Sequence, residues 1–381
     1  MDLYELSVLV FLSIIVYFIY IDRKNIKREG LFLIRPTKKG IKLLDWIAKF
    51  KFFWKYFSLC GAVLGIMLMI YGVISLVGYS KLLIEGVVGL PGFSFVFPSI
   101  KSEMEVGPGY LLIPFWFWII IFISVIFPHE IFHGIISRVE NVKIKSAGVL
   151  LLAVLPGAFV EADEKGVKRL KLLGKLKVFT AGSFANFLMY LIILYLTANI
   201  IWPLFVPGPV VLTGVNSTGP AGKAGLSAGM IITKINEMNV VATYKEYVTR
   251  SGYISEEVQN MKPGEEVRIV ANGTEFNFIT ESNPLNKTIA YFGINYLPLI
   301  YINSSVFNFV IEALTLVWIV SLAVAVCNLL PLYPFDGEKI VEIVAEKVNK
   351  KHAERIAIII SLIMLAILLF NFLAPFILKR V

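Results

Sequence analysis

Charge, cysteine and histidine are all scarce in this chain of 381 residues. Only 17% of its residues are charged, there are two cysteines, and there are three histidines. Each shortage excludes something. Cys60 and Cys327 lie far apart inside apolar runs, so they form neither a disulfide framework nor a cysteine metal cluster. They read as buried thiols. Low charge beside 57% hydrophobic residues excludes a disordered or ordinary soluble protein and predicts a polytopic membrane protein. The net charge of +9 does not call for nucleic acid, because Lys and Arg gather in the cytoplasmic loops of membrane proteins. The first apolar run follows Asp2 and Glu5 and has no small-residue cleavage site, so it reads as an anchor. Two of the three histidines fall within five residues of each other. The third, His352, sits at a junction of loop and span and reads as solvated.

Apolar runs predict about six transmembrane helices, near 6–21, 57–77, 110–138, 178–205, 306–330 and 356–378. Residues 22–56 are strongly basic. Within them Ile41–Phe57 suggests an amphipathic helix on the membrane surface. Residues 80–109 read as a Gly/Pro-rich loop with short strands. Ala147–Val160 is apolar but too short to cross, and its Pro156-Gly157 predicts a re-entrant strand-turn-strand. From Gly208 to about Tyr296 the composition becomes that of a soluble α/β module, with strand-like runs around one helix near 244–261. The expected fold is a polytopic α-helical membrane protein with an inserted soluble α/β domain. Its parts are residues 1–110 (anchor spans and a basic loop), 111–206 (first part of a membrane core), 207–300 (the inserted domain) and 301–381 (second part of the core and a last span). Placing segments 22–57, 138–177 and 336–355 in the cytoplasm puts 25 of the 36 Lys and Arg residues inside. The four glycosylation sequons, at Asn216, Asn272, Asn286 and Asn303, then all lie outside.

The run LLIPFWFWIIIFISVIF (111–127) carries no charge, yet His129, Glu130 and His133 follow it at once. Ionisable groups in a membrane span are costly and default to function. On a helix the two histidines share one face at i and i+4 and can chelate one zinc, with Glu130 beside it as a general base. A catalytic zinc takes three protein ligands and leaves one position open. The topology puts the histidines about 10 Å below the inner surface. Asp336 falls at the inner end of the parallel fifth span, so it is the best third ligand. Glu161 and Glu312 are its rivals, and a turn at Asp336-Gly337 is the plainer reading.

HExxH in a span, PGAFVEADE (156–164), RLKLLGKLKVFTAGSFANF (169–187) and the segment from Asn328 through Pro331 to Asp336-Gly337 together resemble the site-2 protease family of intramembrane zinc metalloproteases. The resemblance covers about residues 111–337. It implies one Zn2+ per chain held by His129, His133 and Asp336, with Glu130 activating water. It also implies that Asn186 helps place substrate, and that Asn328 and Pro331 shape the segment carrying Asp336. Pro128 departs from a plain helix and predicts a kink at the site. The inserted stretch PAGKAGLSAGMIITKIN (220–236) resembles a PDZ domain, although Gly229-Met230 and Asn236-Glu237 stand where Gly-Asp and Asn-Gly are usual.

The resulting expectation is a multi-pass endopeptidase that cuts transmembrane segments of substrates already trimmed by another protease, in regulated intramembrane proteolysis. Its partners are those proteins and the lipid bilayer, not nucleic acid. Its site faces the cytoplasm, and the PDZ-like domain is extracytoplasmic. Asn186 is positioned to bond the substrate backbone or the developing oxyanion. The hairpin at 147–160 is either an edge for β-addition of unwound substrate or a hydrophobic plug. Two other functions fit the same residues: an inactive PDZ-bearing membrane scaffold, and a membrane zinc protease for soluble or lipidated peptides.

Overall fold

The computed structural model describes residues 2–152, 155–201, 209–240, 261–283, 287–298 and 305–377. They fall into two compact units, residues 1–191 with 313–381, and residues 192–312.

In the first unit, α1 (Leu3–Asp22) is followed by a hairpin of β1 (Lys27–Glu29) and β2 (Phe32–Pro36). Next come α2 (Lys38–Ile47) and α3 (Lys51–Ile84). Strands β3 (Phe95–Ser99), β4 (Glu105–Gly107) and β5 (Tyr110–Pro114) form a sheet of order β3-β5-β4. It accounts for the strands expected in 80–109. Helix α4 (Phe115–Ile121) runs through a π-helical turn, Phe122–Ile126, into α5 (Phe127–Val139). Pro128 has no N–H to give to the preceding turn, and the irregularity expected there takes the form of this π-turn.

Strands β6 (Ile144–Leu152) and β7 (Leu155–Ala162) pair antiparallel, Ala147 opposite Val160 and Leu152 opposite Leu155. This is the strand pair expected at 147–160, except that Pro156 and Gly157, expected at the turn, lie within β7 opposite Leu151 and Leu150. It is larger than expected, because β2 adds to β6 and the sheet runs β1-β2-β6-β7. The short α6 (Glu164–Arg169) leads to α7 (Leu172–Leu196).

The second unit holds β8 (Val210–Val215), α8 (Pro220–Lys223), β9 (Ile231–Ile235), β10 (Met238–Asn239), β11 (Glu266–Ala271) and β12 (Thr274–Ile279). Then come β13 (Glu281–Ser282), β14 (Ala290–Tyr291) and β15 (Ile294–Pro298). One sheet of order β12-β11-β9-β8-β15 closes over Val210, Ile232, Ile235, Val267 and Ile269, all fully buried. The sheet falls within the stretch 208–296 where composition predicts a module distinct from the spans. Its expected helix at 244–261 falls almost wholly outside the described residues.

The chain returns through α9 (Ser305–Cys327), α10 (Asp336–Val348) and α11 (Ala353–Ile377). Among the described residues six helices are long and apolar enough to cross a membrane: Leu3–Asp22, Lys51–Ile84, Phe115–Val139, Leu172–Ile201, Phe309–Cys327 and Ala353–Ile377. The protein is therefore a multi-pass membrane protein with an inserted sheet domain. Three expectations change. The amphipathic helix ends at Ile47, and Phe52 and Phe53 belong to the start of the second span, which at 34 residues is about 51 Å long. The charged segment after 336 is a regular helix, α10. Both cysteines are exposed, because they point out of their spans and not between helices.

Small residues set the helix spacing, as they do where lipid gives no hydrophobic drive. A Cβ on Gly61 would stand 2.7 Å from the Phe184 ring, and one on Gly65 would stand 2.6 Å from Thr180 Cγ2. One on Gly72 would stand 2.9 Å from Val326 Cγ1. These glycines let α3 close against α7 and α9. Helix α2 packs inward as well. Leu44 is buried against Ile135 and Ile136, and Asp45 accepts from Arg138 Nε at 2.5 Å. The segment read as a surface helix is thus a brace on the helix that carries HExxH.

Candidate metal centre

His129 and His133 project from one face of α5, as their spacing dictates. Asp336 reaches them from the first turn of α10. The residues between α9 and α10 make this possible. Asn328 ends the α9 ladder, and its carbonyl accepts from Gly337 N–H at 2.9 Å. A Cβ on Gly337 would strike the carbonyls of Leu329 and Leu330, so only glycine lets α10 start this close to the end of α9. Pro331 is buried in the connecting turn.

His133 Nε2 lies 3.2 Å from His129 Nε2 and 3.1 Å from Asp336 Oδ2, and His129 Nε2 lies 3.5 Å from the same oxygen. Three ligands at zinc bond lengths around a tetrahedral centre lie about 3.3 Å apart. The triangle has that size, and its donors, two imidazoles and one carboxylate, are ligands zinc accepts. The residues fit the metal. Among the described residues this is the one group of His, Cys, Asp and Glu with ligand atoms all within 4.8 Å. Glu161 is elsewhere: exposed, it accepts from Ser146 Oγ at 2.8 Å and lies 3.4 Å from Lys145 Nζ. Glu312 is not part of the group.

Helix α7 braces the triad through three residues spaced by four. The carbonyl of Val178 is 2.7 Å from His133 Nδ1. A proton on Nδ1 satisfies that carbonyl and leaves Nε2 free to ligate. Asn186, fully buried, has its side-chain nitrogen Nδ2 3.0 Å from His129 Nδ1, and its Oδ1 has no partner among the described residues. For His129 to ligate through Nε2, its Nδ1 must carry a proton and donate it, and turning the Asn186 amide over brings its unpartnered oxygen to that place as the acceptor. Between them sits Gly182. A Cβ there would stand 2.5 Å from His133 Nε2 and 2.7 Å from His129 Nε2, inside the space the metal needs. Sequence reasoning named Asn186 but missed Val178 and Gly182. Neither a backbone carbonyl nor the space beside a glycine has a residue signature until α7 is placed against α5.

The triad opens on a cavity of about 640 Å³ whose lining includes Glu130, Asn328, Val160 and Ala162. Its walls also carry Lys168, Lys175, Lys339, Glu342 and Glu346, an unusual density of charge for this chain. Lys175 pairs with Glu346 at 2.6 Å, tying α7 to α10. The arrangement is a ligand set with one side facing a polar space and a carboxylate on that side.

Comparison with known proteins agrees with this geometry. An uncharacterized protein of the archaeon Methanocaldococcus jannaschii is 30% identical over 247 residues, 64% of this chain and 62% of that protein. This chain thus matches less than two thirds of the relative's length. The sequence model of Peptidase family M50, the site-2 protease family, matches residues 116–371, a stretch that begins just before the HExxH helix and ends within α11. With its polytopic fold and the histidine–aspartate cluster inside that stretch, the chain belongs to Peptidase family M50, a family of membrane metallopeptidases.

Proposed function

We propose that the protein is a zinc endopeptidase that cuts transmembrane segments of membrane-bound substrates. The observation that carries this reading is the triangle of His129, His133 and Asp336 beside Glu130, in a span and open to a polar cavity. A zinc bound there would acidify its water and polarise the scissile carbonyl. Glu130 takes the proton as water adds to the carbonyl carbon, then gives it to the amine as the C–N bond breaks. Val178 and Asn186 hold the two imidazoles in the ligating tautomer, which makes Asn186 a positioning residue for His129. Its burial behind the ring favours that role over direct contact with substrate. Asn328 and Pro331 shape the turn that delivers Asp336.

A helical substrate offers no free carbonyl, so it must unwind before the cut. Strand β7 is an edge of its sheet, and its Val160 and Ala162 line the cavity of the triad. We assign β7 as the edge to which the unwound segment adds. The excess of Lys and Arg in the loops around α2, α6 and α10 supports a cytoplasmic site. The sheet domain then lies on the far side, as a PDZ-like module that receives trimmed substrates. The test is cleavage of a single-span substrate in detergent with the product ends read by mass spectrometry. New termini inside the apolar span support the proposal. Cutting confined to soluble peptides contradicts it.

A further inference from the structure

Glu130 lines two cavities. One is the polar cavity already described. The other, of about 280 Å³, lies beside it and includes Leu43, Leu44, Phe127, Ala158 and Val160 in its walls. Apart from Glu130, Arg35 and Thr37 its lining is apolar. Arg35 is ion-paired with Asp22. Val160 and Glu130 are the residues common to both cavities. A strand laid along β7 with its carbonyl at the triad therefore passes the mouth of this second space.

The chemistry says which residue would enter. The carboxylate that takes the proton of water returns it to the leaving amine, so Glu130 must face the nitrogen of the residue just after the scissile bond. The cavity beside Glu130 is next to that residue. Size agrees: roughly 150 Å³ already holds a benzene ring, so one aromatic or branched side chain fits with room for its approach. Strand geometry agrees as well, because alternate side chains of an added strand point to opposite faces of the sheet.

We propose that this cavity is a specificity pocket for a large apolar side chain on the residue following the cut. The inference rests on the proteolytic reading above and adds a selection rule to it. It also gives the N-terminal region a role in the reaction. Leu43 and Leu44 belong to α2, outside the stretch matched by the family model, so this wall is a feature of the chain and not of the shared core.

The test uses the full-length protein in detergent with single-span substrates that differ only at the residue after the mapped cut: Trp, Phe, Leu, Ala or Asp. The parent is expected to cut Phe and Leu about tenfold or more faster than Ala and Asp. Ala158→Phe, which fills the pocket, is expected to reduce the ratio of Phe to Ala cleavage at least tenfold while zinc content stays at the parent level. Leu43→Ala, which widens the pocket from α2, is expected to raise relative cutting of a Trp substrate. As a reading independent of turnover, photo-leucine at the same substrate position should cross-link to α2 in the Glu130→Gln protein. An unchanged ratio in both variants with zinc retained overturns the pocket alone. Selectivity that follows the residue before the cut also overturns it. A parent that holds zinc and cuts none of the substrates overturns the proteolytic reading, and the pocket with it.

Discussion

Among single residues, Gly182 and Asn186 test the metal centre most sharply, because no ligand rule singles them out. Gly182→Ala puts a methyl group where both imidazole nitrogens converge. It is expected to abolish zinc binding in the purified protein, measured by metal analysis, while helicity by circular dichroism is kept. Zinc at the parent level in that variant would contradict the site. Asn186→Leu removes the partner of His129 Nδ1 and is expected to weaken zinc affinity about 10- to 100-fold in a chelator competition. Asn186→Asp, which only accepts, should keep it. Equal loss in both variants would mean that Asn186 acts by packing, not through the imidazole. A third comparison separates the candidate ligands: Asp336→Ala is expected to lose zinc and Glu161→Gln to keep it. The sequence made much of this legible. His129 and His133 announced themselves by rarity and spacing, and Asp336 by its place just after the inner end of the fifth span. The Val178 carbonyl and the space at Gly182 were not legible, because neither has chemistry of its own until α7 is placed against α5.

The elements divide in the same way. Long apolar runs gave all six spans, since a bilayer core of about 30 Å leaves little choice of length. The hairpin β6-β7 was legible from a run too short to cross, but its turn was misplaced: Pro156 and Gly157 lie within β7, opposite Leu151 and Leu150. Its partner β2 was not, because KRE and FLIRP in β1 and β2 carry no alternation that points to a distant strand. Helix α10 was hidden by its charge, although Asp336 and Glu338 in its first turn suit a helix start. The thiols of Cys60 and Cys327 were misplaced because apolar surroundings in a membrane chain include lipid. Packing at this level rests on the glycine seam of α3. Gly65→Leu would drive a branched side chain into Thr180 and is expected to cost about 1–3 kcal/mol. A lower melting temperature in detergent is the readout. An unchanged one would show that α3 does not support α7. The same seam carries α7 and hence the brace of the metal centre, so zinc should be lost in parallel with stability.

Across the whole molecule, charge sets orientation and the membrane decides what a span is for. The three basic segments predict a cytoplasmic site and an outer sheet domain. Expressed with eukaryotic microsomes, the protein is then expected to acquire glycans on the sheet domain, with Asn272→Gln removing one of them. Absence of any glycan would argue for the inverted topology, since no sequon lies in the basic segments. The central claim is simpler than the topology: one zinc, held in a span by two histidines and an aspartate, with Glu130 as the proton carrier. It is tested most directly by measuring zinc content together with cleavage of a single-span substrate, for the parent and for Glu130→Gln. The account predicts that both proteins bind about one zinc and that only the parent cuts. Cleavage by Glu130→Gln at the parent rate, or a parent without zinc, would contradict it.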